Sequence, residues 1–195
     1  MSAGFLLYFY ALYFTADVVT SCWTTRLPLF LDIELRIPFI AEMAPVYVSM
    51  NALLLLGPFV YRTPRALWPL VGTLAAETTV AAVIFMLVPI DMRFPPESPG
   101  GVSGFFYTWA DTANLDHNEL PSLHVAFAVT AAWALGRRAN RATRLGLALW
   151  ATAISASTVL IHAHYLLDVV LGIALGCVGM RTVFPRLGEL EGGGP

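Results

Sequence analysis

The sequence predicts an all-α membrane protein with six transmembrane helices, and two observations support this prediction. Apolar residues make up 57% of the 195-residue chain and charged residues only 12%, whereas soluble proteins contain about 45–50% and about 25%. Six apolar stretches approach the roughly 20 residues that a spanning helix needs, and none shows the two-residue alternation of a strand. This composition excludes a disordered chain and an ordinary soluble protein. We expect one integral membrane domain over residues 1–195.

The six predicted spans are separated by short connections, with one long polar segment after the third. They cover residues 5–23, 44–61, 66–90, 122–135, 145–161 and 165–184. The fourth is short, so the residues before it must help it reach the bilayer surface. In the long segment, 103–114 (SGFFYTWADTAN) is predicted to form an aromatic helix at the membrane interface. The tail, about residues 188–195, is expected to be frayed.

The basic residues predict the orientation, and all eleven of them are Arg. Cytoplasmic loops carry an excess of basic residues, which favours cytoplasmic termini and an outward opposite face in a plasma or inner membrane. The side with the termini holds eight, namely Arg62, Arg65, Arg137, Arg138, Arg141, Arg144, Arg181 and Arg186, and the opposite side holds Arg26, Arg36 and Arg93. No basic stripe is present to neutralise a nucleic-acid backbone, so the expected partners are the bilayer and its lipids. The sequence does not indicate an oligomeric state.

All four histidines fall on or near the outward face in this topology. His164 and Asp168 are four residues apart, so on a helix they lie one turn apart on the same face. The carboxylate can hold one ring nitrogen and leave the other free to attack. Asp168 also heads an apolar run, where an ionisable group marks a functional candidate. The alternative is a pair that merely satisfies its own polar groups at a helix end.

Pro121 and Ser122 open the fourth predicted span, with Pro at the first helical position, and His124 follows within the first turn. The N–H groups at a helix N-terminus bind phosphate, and a protonated His124 can give a proton to a leaving alkoxide. Helix capping with a surface histidine is the alternative. Arg93, followed by Arg36, is the candidate for pairing with phosphate oxygens, unless these side chains only extend to the interface.

No metal or other cofactor is expected. A metal held by His124, His162, His164 and Asp168 is conceivable, but His162 and His164 are two residues apart and diverge on a helix. His162 is also conceivable as the nucleophile, although only His164 is followed by a carboxylate four residues later.

Together these motifs resemble the type 2 phosphatidic-acid phosphatase superfamily, which includes lipid phosphatases and inositolphosphorylceramide synthases. The superfamily's P-S-G-H motif reads PSLH at 121–124. Its S-R-x5-H-x3-D motif keeps its spacing over 157–168, with Thr158 in place of Arg. Its K-x6-R-P motif is absent, since the chain has no Lys. The N-x-x-P-S-L-H-V-A and H-Y-x-x-D-V patterns, and residues 32–51, are similar to the inositolphosphorylceramide-synthase-like branch.

The resemblance implies a metal-independent enzyme that acts on a phosphorylated lipid. His164 would be the nucleophile that forms a phosphohistidine, Asp168 would orient it, and His124 would be the general acid. Ser122 and nearby backbone N–H groups would hold phosphate oxygens, and we expect Arg93, together with Arg36, to replace the missing basic motif residues.

Three functions remain open from the sequence. Water as the acceptor would make the protein a phosphatase, and a lipid hydroxyl or an inositol-type head group would make it a transferase. A transporter or scaffold with the same fold is the non-catalytic alternative, for which Asp17 and Glu77 are the deep acidic residues.

Overall fold

The computed structural model describes residues 3–115 and 117–192. Within these two ranges the chain forms eight α-helices and two short 3₁₀ turns, and no strand. The helices are α1 (Ala3–Ser21), α2 (Ala44–Leu55), α3 (Gly57–Val60), α4 (Pro64–Leu87), α5 (Gly101–Ala113), α6 (Leu123–Gly136), α7 (Arg141–Leu160) and α8 (Leu166–Gly192), and the 3₁₀ turns are Glu34–Arg36 and Ala41–Met43.

Five helical stretches in the described ranges are long and apolar enough to cross a membrane. They are Ala3–Ser21, Ala41–Val60, Pro64–Leu87, Arg141–Leu160 and Leu166–Glu189. Large apolar side chains on their outer surfaces are exposed, as lipid contact requires; Leu7 and Phe59 are examples. The chain is therefore an integral membrane protein. The remaining apolar helix, α6, has 14 residues, fewer than a straight span needs.

Helix α6 is at the centre of the bundle, where α2, α4, α7 and α8 all pack against it. A helix that is apolar all round is expected to be buried, and α6 is buried along nearly its whole length. Its alanines leave room for the neighbouring backbones to approach closely. The fully buried members are Ala126, Ala128, Ala131 and Ala134. The N-terminus of α6, which carries His124, is therefore held inside the bundle.

Several predicted boundaries change because local capping and proline decide where a helix starts or stops. The predicted span 44–61 is divided into α2 and α3 at Leu56, just before Pro58, which has no N–H to donate. Helix α7 begins four residues earlier than predicted, because the Asn140 side chain accepts the Thr143 N–H at 2.9 Å.

The ends of α4 and α8 also differ from the predicted spans. Helix α4 ends at Leu87, two residues before Pro89, because the residue before a proline disfavours helical geometry. Helix α8 continues to Gly192, so the tail expected to be frayed is helical up to that residue. Residues 193–195 lie outside the described ranges.

The connecting segments at one end of the bundle are tied to each other by backbone hydrogen bonds. Leu27 N–H donates to the Pro89 carbonyl at 2.8 Å, and Asp91 N–H donates to the Leu27 carbonyl at 3.0 Å. Ile40 N–H donates to the Leu160 carbonyl at 2.8 Å. The ends of α4 and α7 and the start of α6 thus share one end of the bundle, which also contains every predicted site residue.

Candidate active site

His164 lies between two carboxylates at this end of the bundle. Its Nδ1 atom is 3.5 Å from Asp168 Oδ2 and 3.4 Å from Glu119 Oε2. The three residues are buried: His164 is 5% exposed, Asp168 0% and Glu119 8%. The structure thus brings together His164 and Asp168, as their spacing predicts. It adds Glu119, which no sequence pattern indicated.

Local backbone geometry fixes His164 and Asp168. In the first turn of α8, Asp168 Oδ2 accepts the Tyr165 N–H at 2.9 Å, which resembles the carboxylate half of a capping box. The Ala163 and His164 N–H groups both donate to the Thr158 carbonyl, at 2.9 and 3.1 Å. This folds the chain back sharply after α7 and presents the imidazole to the carboxylates.

Thr158, which occupies the position of the superfamily's motif Arg, stabilises the turn between α7 and α8. Its side chain is fully buried, and its hydroxyl donates to the Ser155 carbonyl at 2.8 Å. Its contribution to the site is the backbone carbonyl that the turn requires.

The two carboxylates determine which nitrogen of His164 is available. A proton on Nδ1 faces both negative charges, so this tautomer is favoured and the lone pair is left on Nε2. His164 Nδ1 and Asp168 Oδ1 are both buried, and neither has a hydrogen-bond partner among the described residues, so the two carboxylates act on the ring through their charge at 3.4 and 3.5 Å. The arrangement can therefore supply a nucleophilic nitrogen and stabilise positive charge on its ring.

Glu119 is positioned by the loop between α5 and α6, which docks on α1. His117 Nδ1 is 3.0 Å from Asp17 Oδ1, and the Asn118 side-chain amide donates to the Tyr13 carbonyl at 2.8 Å. Two contacts from neighbouring residues thus hold the backbone next to Glu119. The partners are about 100 residues apart in the chain, so local sequence patterns could not predict them.

Glu34 is a second buried acid that sequence reasoning missed. It lies in the Glu34–Arg36 turn, is 1% exposed, and its Oε1 accepts the Leu166 N–H at 2.5 Å. Its Oε2 accepts the Leu31 N–H at 2.6 Å. Glu34 and Asp168 therefore occupy adjacent N–H groups at the start of α8, where negative charge is favourable.

Ser122 is the N-cap residue of α6, so the expectation of Pro121 at the first helical position is wrong. The helix begins at Leu123, and Ser122 Oγ accepts the Val125 N–H at 3.4 Å. The Ser122 N–H donates to the Asp168 carbonyl at 3.1 Å. The PSLH segment and the start of α8 are thus connected backbone to backbone.

Gly172 makes this connection possible because it lets α8 approach α6 closely. A Cβ atom at Gly172 would lie 2.6 Å from the Ser122 carbonyl oxygen and 3.0 Å from Val125 Cβ. The first of these is a backbone atom, so it cannot rotate away.

We therefore expect Gly172→Ala to lower the free energy of unfolding by about 1–3 kcal/mol, as overpacking does, and to reduce any His164-dependent activity. Thermal unfolding in detergent measures the first effect. Gly146→Ala is the matched control, because a Cβ there meets no atom within 4 Å. Equal melting temperatures for the two variants would contradict the proposed close packing.

His124 is held by an aromatic partner and a short hydrogen-bonded chain. Its ring stacks on Tyr47 at a centroid distance of 4.1 Å, and its Nδ1 is 3.0 Å from the Tyr47 hydroxyl. That hydroxyl donates to Asn114 Oδ1 at 2.9 Å, so its one proton is used. Nδ1 of His124 is then the donor, so in the neutral ring Nε2 carries the lone pair, and Nε2 has a proton to transfer only when the ring is protonated.

The two predicted phosphate-binding arginines lie at the same end of the bundle but outside the His164 cluster. Arg93 Nε pairs with Asp91 Oδ2 at 2.7 Å, with its side chain 57% exposed, and its guanidinium lies over Phe30 at 5.3 Å. The Arg93 N–H donates to the Tyr165 hydroxyl at 2.8 Å. Arg36 is exposed, and no ion pair to it forms within residues 3–115 and 117–192.

Tyr165 connects Arg93 to the cluster and is buried beneath it. Burial raises the pKa of the Tyr165 phenol, and the negative charges of Asp91, Glu119 and Asp168 raise it further. The hydrogen bond from the Arg93 N–H acts in the opposite direction and lowers this pKa, but the net shift is upward.

A cavity of about 300 Å³ adjoins the cluster, and Glu119 and His162 are among its lining residues. His162 Nε2 donates to the Ile37 carbonyl at 2.9 Å, and its ring stacks on Phe94 at 4.2 Å. His162, conceivable from the sequence as a nucleophile, thus has a carbonyl as its partner where His164 has two carboxylates.

The cluster also forms a possible metal-ligand set, which differs from the set conceivable from the sequence. One ligand atom each from Glu119, His164 and Asp168 lie within 4.8 Å of one another. An imidazole and two carboxylates are donors that divalent cations accept. The same atoms thus allow two chemistries, which an experiment must separate.

Fold and site together define a helical integral membrane protein with a buried histidine–carboxylate centre at one end of its bundle. The chain belongs to the PAP2 superfamily, whose family model matches residues 58–189. Members of this superfamily are generally phosphatases or phosphotransferases. The resemblance of the motifs is thereby confirmed at the level of the superfamily. Comparisons with curated proteins and with solved structures found no match.

Proposed function

We propose that the chain is a metal-independent phosphatase or phosphotransferase that acts on a phosphorylated lipid through a phosphohistidine on His164. The observation that carries this proposal is the position of His164 Nδ1 between Asp168 and Glu119, 3.5 and 3.4 Å away. Two carboxylates on one ring nitrogen favour the lone pair on the other and stabilise the charge that develops when it attacks.

The proposed reaction has two steps with the same groups. In the first, His164 Nε2 forms a bond to phosphorus, the bond from phosphorus to the lipid oxygen breaks, and His124, which starts protonated on both ring nitrogens, gives that oxygen its Nε2 proton. In the second, an acceptor hydroxyl gives its proton to His124, its oxygen bonds to phosphorus, and the N–P bond breaks. General acid–base catalysis of this kind contributes typically 10²- to 10⁴-fold in rate.

Phosphate oxygens are proposed to meet donors from two sources. Ser122 and the free N–H groups in the first turn of α6 offer the positive end of a helix dipole. Arg93 and Arg36 are the exposed cations at the same end of the bundle. Arg93 would have to exchange its partner Asp91 for phosphate, which its exposure permits.

If this assignment holds, Arg93→Ala raises KM for the lipid phosphate roughly tenfold, as expected when one charge-assisted hydrogen bond is lost. Turnover of a dispersed lipid phosphate over a concentration series measures KM and kcat. The control is Arg181→Ala, which removes an exposed Arg from α8 far along the chain from the site. Unchanged KM and kcat in Arg93→Ala would remove Arg93 from the site.

The proposed membrane arrangement has six spans, with α6 extended to the bilayer surface by the residues before it. Helix α5 would lie at the interface, since Phe105 and Trp109 are exposed on it. The excess of Arg in the loops on the side of the termini supports cytoplasmic termini and an outward active face.

EDTA is expected to leave turnover unchanged. In the metal-free mechanism Nδ1 of His164 carries the proton and Nε2 carries the lone pair that attacks phosphorus. A cation bound at Nδ1 would leave the proton on Nε2, and Nε2 could then no longer attack. Turnover is measured after dialysis against EDTA and again after Mg²⁺, Mn²⁺ or Zn²⁺ is added. Strong inhibition that a divalent cation reverses would favour the Glu119–His164–Asp168 metal set and contradict the proposed mechanism.

The proposal is tested by phosphate release in detergent from a panel of lipid phosphates and diphosphates, with EDTA present. Release by the wild type that His164→Ala lacks supports a histidine-dependent phosphatase and gives the substrate class. If none is released, head-group transfer from phosphatidylinositol to a lipid alcohol tests the alternative, a transferase of the inositolphosphorylceramide-synthase type. Failure of both assays would favour a transporter or scaffold.

The deep acidic residues support the enzyme over a transporter because each contacts a neighbouring element, although Glu77 Oε2 is buried without a hydrogen-bond partner among the described residues. Glu77 is 1% exposed and accepts a hydrogen bond from the Thr130 hydroxyl at 2.6 Å, which joins α4 to α6. Asp17 is paired with His117. Such contacts are typical of helix association in membranes.

A further inference from the structure

A second cavity, of about 570 Å³, lies in a groove between α6, α7 and α8. Both α7 and α8 pack closely on α6 but make few contacts with each other, so α6 forms the floor of the groove between them. Small residues on the facing sides of α6 and α7 leave the space open, namely Ala132, Gly136, Ala148 and Ala151. The volume lies within the range of about 300–1,000 Å³ that ligand sites occupy.

The groove runs from the end of the bundle opposite His164 towards its middle. Helix α6 begins beside the site at Leu123, and Arg137, which lines the groove, follows the last residue of this helix. On α7 the lining extends from Arg144 to Ser155, a rise of about 17 Å. One leaflet of a hydrocarbon core about 30 Å thick measures about 15 Å. The groove is therefore as long as one membrane leaflet.

The part of the groove nearest the middle of the bundle offers a ligand no hydrogen-bond donor. Its polar side chains are Thr152 and Ser155. Their hydroxyl groups donate to carbonyls one turn back in α7, each at 2.9 Å, so neither has a proton left to donate. The apolar side chain of Ile173 lies opposite, on α8. This part of the groove thus suits a hydrocarbon chain.

The other end of the groove carries two positive charges. Arg137 and Arg144 are exposed and line it. The guanidinium of Arg137 lies over the rings of Trp133 and Phe184, at 5.0 and 5.4 Å, which leaves its N–H edge available. The stem of Arg144 lies against Gly136, where an added Cβ would be 3.1 Å from Arg144 Cγ.

No carboxylate neutralises these two charges within the part of the chain that the structure describes. Neither Arg137 nor Arg144 forms an ion pair there, and none of the described residues that line the groove is acidic. An anionic group is therefore attracted to this end of the groove, and a further cation is repelled.

We propose that this groove binds one phospholipid of the adjacent leaflet, with a head group of net negative charge. One acyl chain lies along the apolar part, and the phosphate accepts hydrogen bonds from Arg137 and Arg144. Basic pockets between transmembrane helices bind anionic head groups in this way. A zwitterionic lipid also brings an ammonium group, which the arginines repel. The site lies at the other end of the bundle from His164, so it does not depend on the proposed reaction.

The volume of the groove favours a lipid chain over a helix from a second copy of the protein. A helix about 10 Å wide occupies about 1,300 Å³ over a length of about 17 Å. This is more than twice the volume of the cavity. A single acyl chain is narrower than a helix and can lie in the groove without moving α7 away from α8.

Trp133 lines the groove, so its fluorescence can report the occupant. The full chain is reconstituted in phosphatidylcholine vesicles that contain increasing fractions of brominated phosphatidylglycerol or brominated phosphatidylcholine, whose bromine atoms quench tryptophan on contact. Trp133→Phe gives the signal of the other tryptophans, which is subtracted. Phosphatidylglycerol is expected to bind roughly 25-fold more tightly than phosphatidylcholine, from roughly fivefold for each arginine.

Two pairs of variants test the two parts of the site. Arg144→Gln should reduce the preference for phosphatidylglycerol roughly fivefold. Its matched control is Arg141→Gln, which removes an exposed Arg of α7 outside the groove and should keep the preference. Ala148→Phe fills the groove and should abolish quenching of Trp133 by both lipids. Ala174→Phe, at an exposed position of α8 outside the lining, should leave it unchanged.

Four results would overturn the assignment. Equal affinity for the two lipids would reject the anionic head group. Equal losses in Arg144→Gln and Arg141→Gln would reduce the preference to a general attraction between a basic surface and anionic lipid. Quenching that persists in Ala148→Phe would place the lipid outside the groove. Absence of Trp133 quenching by either lipid would reject the site, and a dimeric mass in detergent would then assign the groove to a second copy.

Discussion

If His164 is the nucleophile that we propose, replacing it by Ala is expected to lower turnover of a lipid phosphate roughly 10⁴-fold or more, the size seen when a covalent nucleophile is removed. The variant loses the Nε2 atom that bonds to phosphorus in the proposed mechanism, so that covalent route would be closed. Its KM should change little, because phosphate would be held by other groups. The direct readout is acid-labile, base-stable label on the protein after brief exposure to ³²P-labelled lipid phosphate: present in the wild type and absent in the variant.

Two controls separate loss of the nucleophile from loss of the fold. His164→Ala should keep a melting temperature near that of the wild type, because α8 retains its caps from Asp168 and Glu34. His117→Gln removes another imidazole at the same end of the bundle and retains an N–H donor for Asp17, so it should be labelled normally. Label that persists in His164→Ala would assign the nucleophile to another residue.

Asp168→Asn is expected to reduce kcat roughly 10³-fold or more, as replacing the orienting carboxylate does in other histidine-dependent enzymes. The Asn side chain retains an oxygen that can accept the Tyr165 N–H, so the start of α8 is preserved. What disappears is the negative charge 3.5 Å from His164 Nδ1, and with it the preference for a lone pair on Nε2. KM and the melting temperature should stay close to wild-type values.

The matched control is Asp32→Asn, which neutralises an exposed carboxylate at the same end of the bundle. This variant should leave kcat unchanged. The rate of label formation in Asp168→Asn must fall together with kcat, because the first step is the one that needs the oriented imidazole. Activity within tenfold of the wild type would mean that Glu119 alone suffices to orient His164.

The sequence predicted those parts of the site that depend on short spacings. His164 and Asp168 are one helical turn apart, so their contact follows from geometry that any helix imposes. Glu119 and Tyr47 reach the site from other elements, through contacts between residues 45 and 77 positions apart. No periodicity or motif in a single sequence encodes such contacts, since they depend on how the helices pack.

The fold class was predictable because composition and the length of apolar runs report directly on a membrane environment. The boundaries were less predictable because single side chains decide them. For example, Ser122 is the N-cap residue of α6, so Pro121 lies before the helix and not in its first turn. Arginine roles were the hardest to predict, because an exposed guanidinium such as that of Arg93 can pair with whichever carboxylate is nearest.

The Ser122 N–H donates to the Asp168 carbonyl and so joins the two segments of the site. Hydrogen exchange at this one amide therefore reports whether the two segments separate. Because Gly172 leaves no gap between α6 and α8 there, solvent can reach this amide only when the two helices separate. In hydrogen–deuterium exchange, Ser122 should therefore be protected to nearly the extent of the bundle core. Protection of this amide would mean that the segments that carry His124 and His164 move together, and that an opening that admits the proposed lipid substrate occurs in the loops around them.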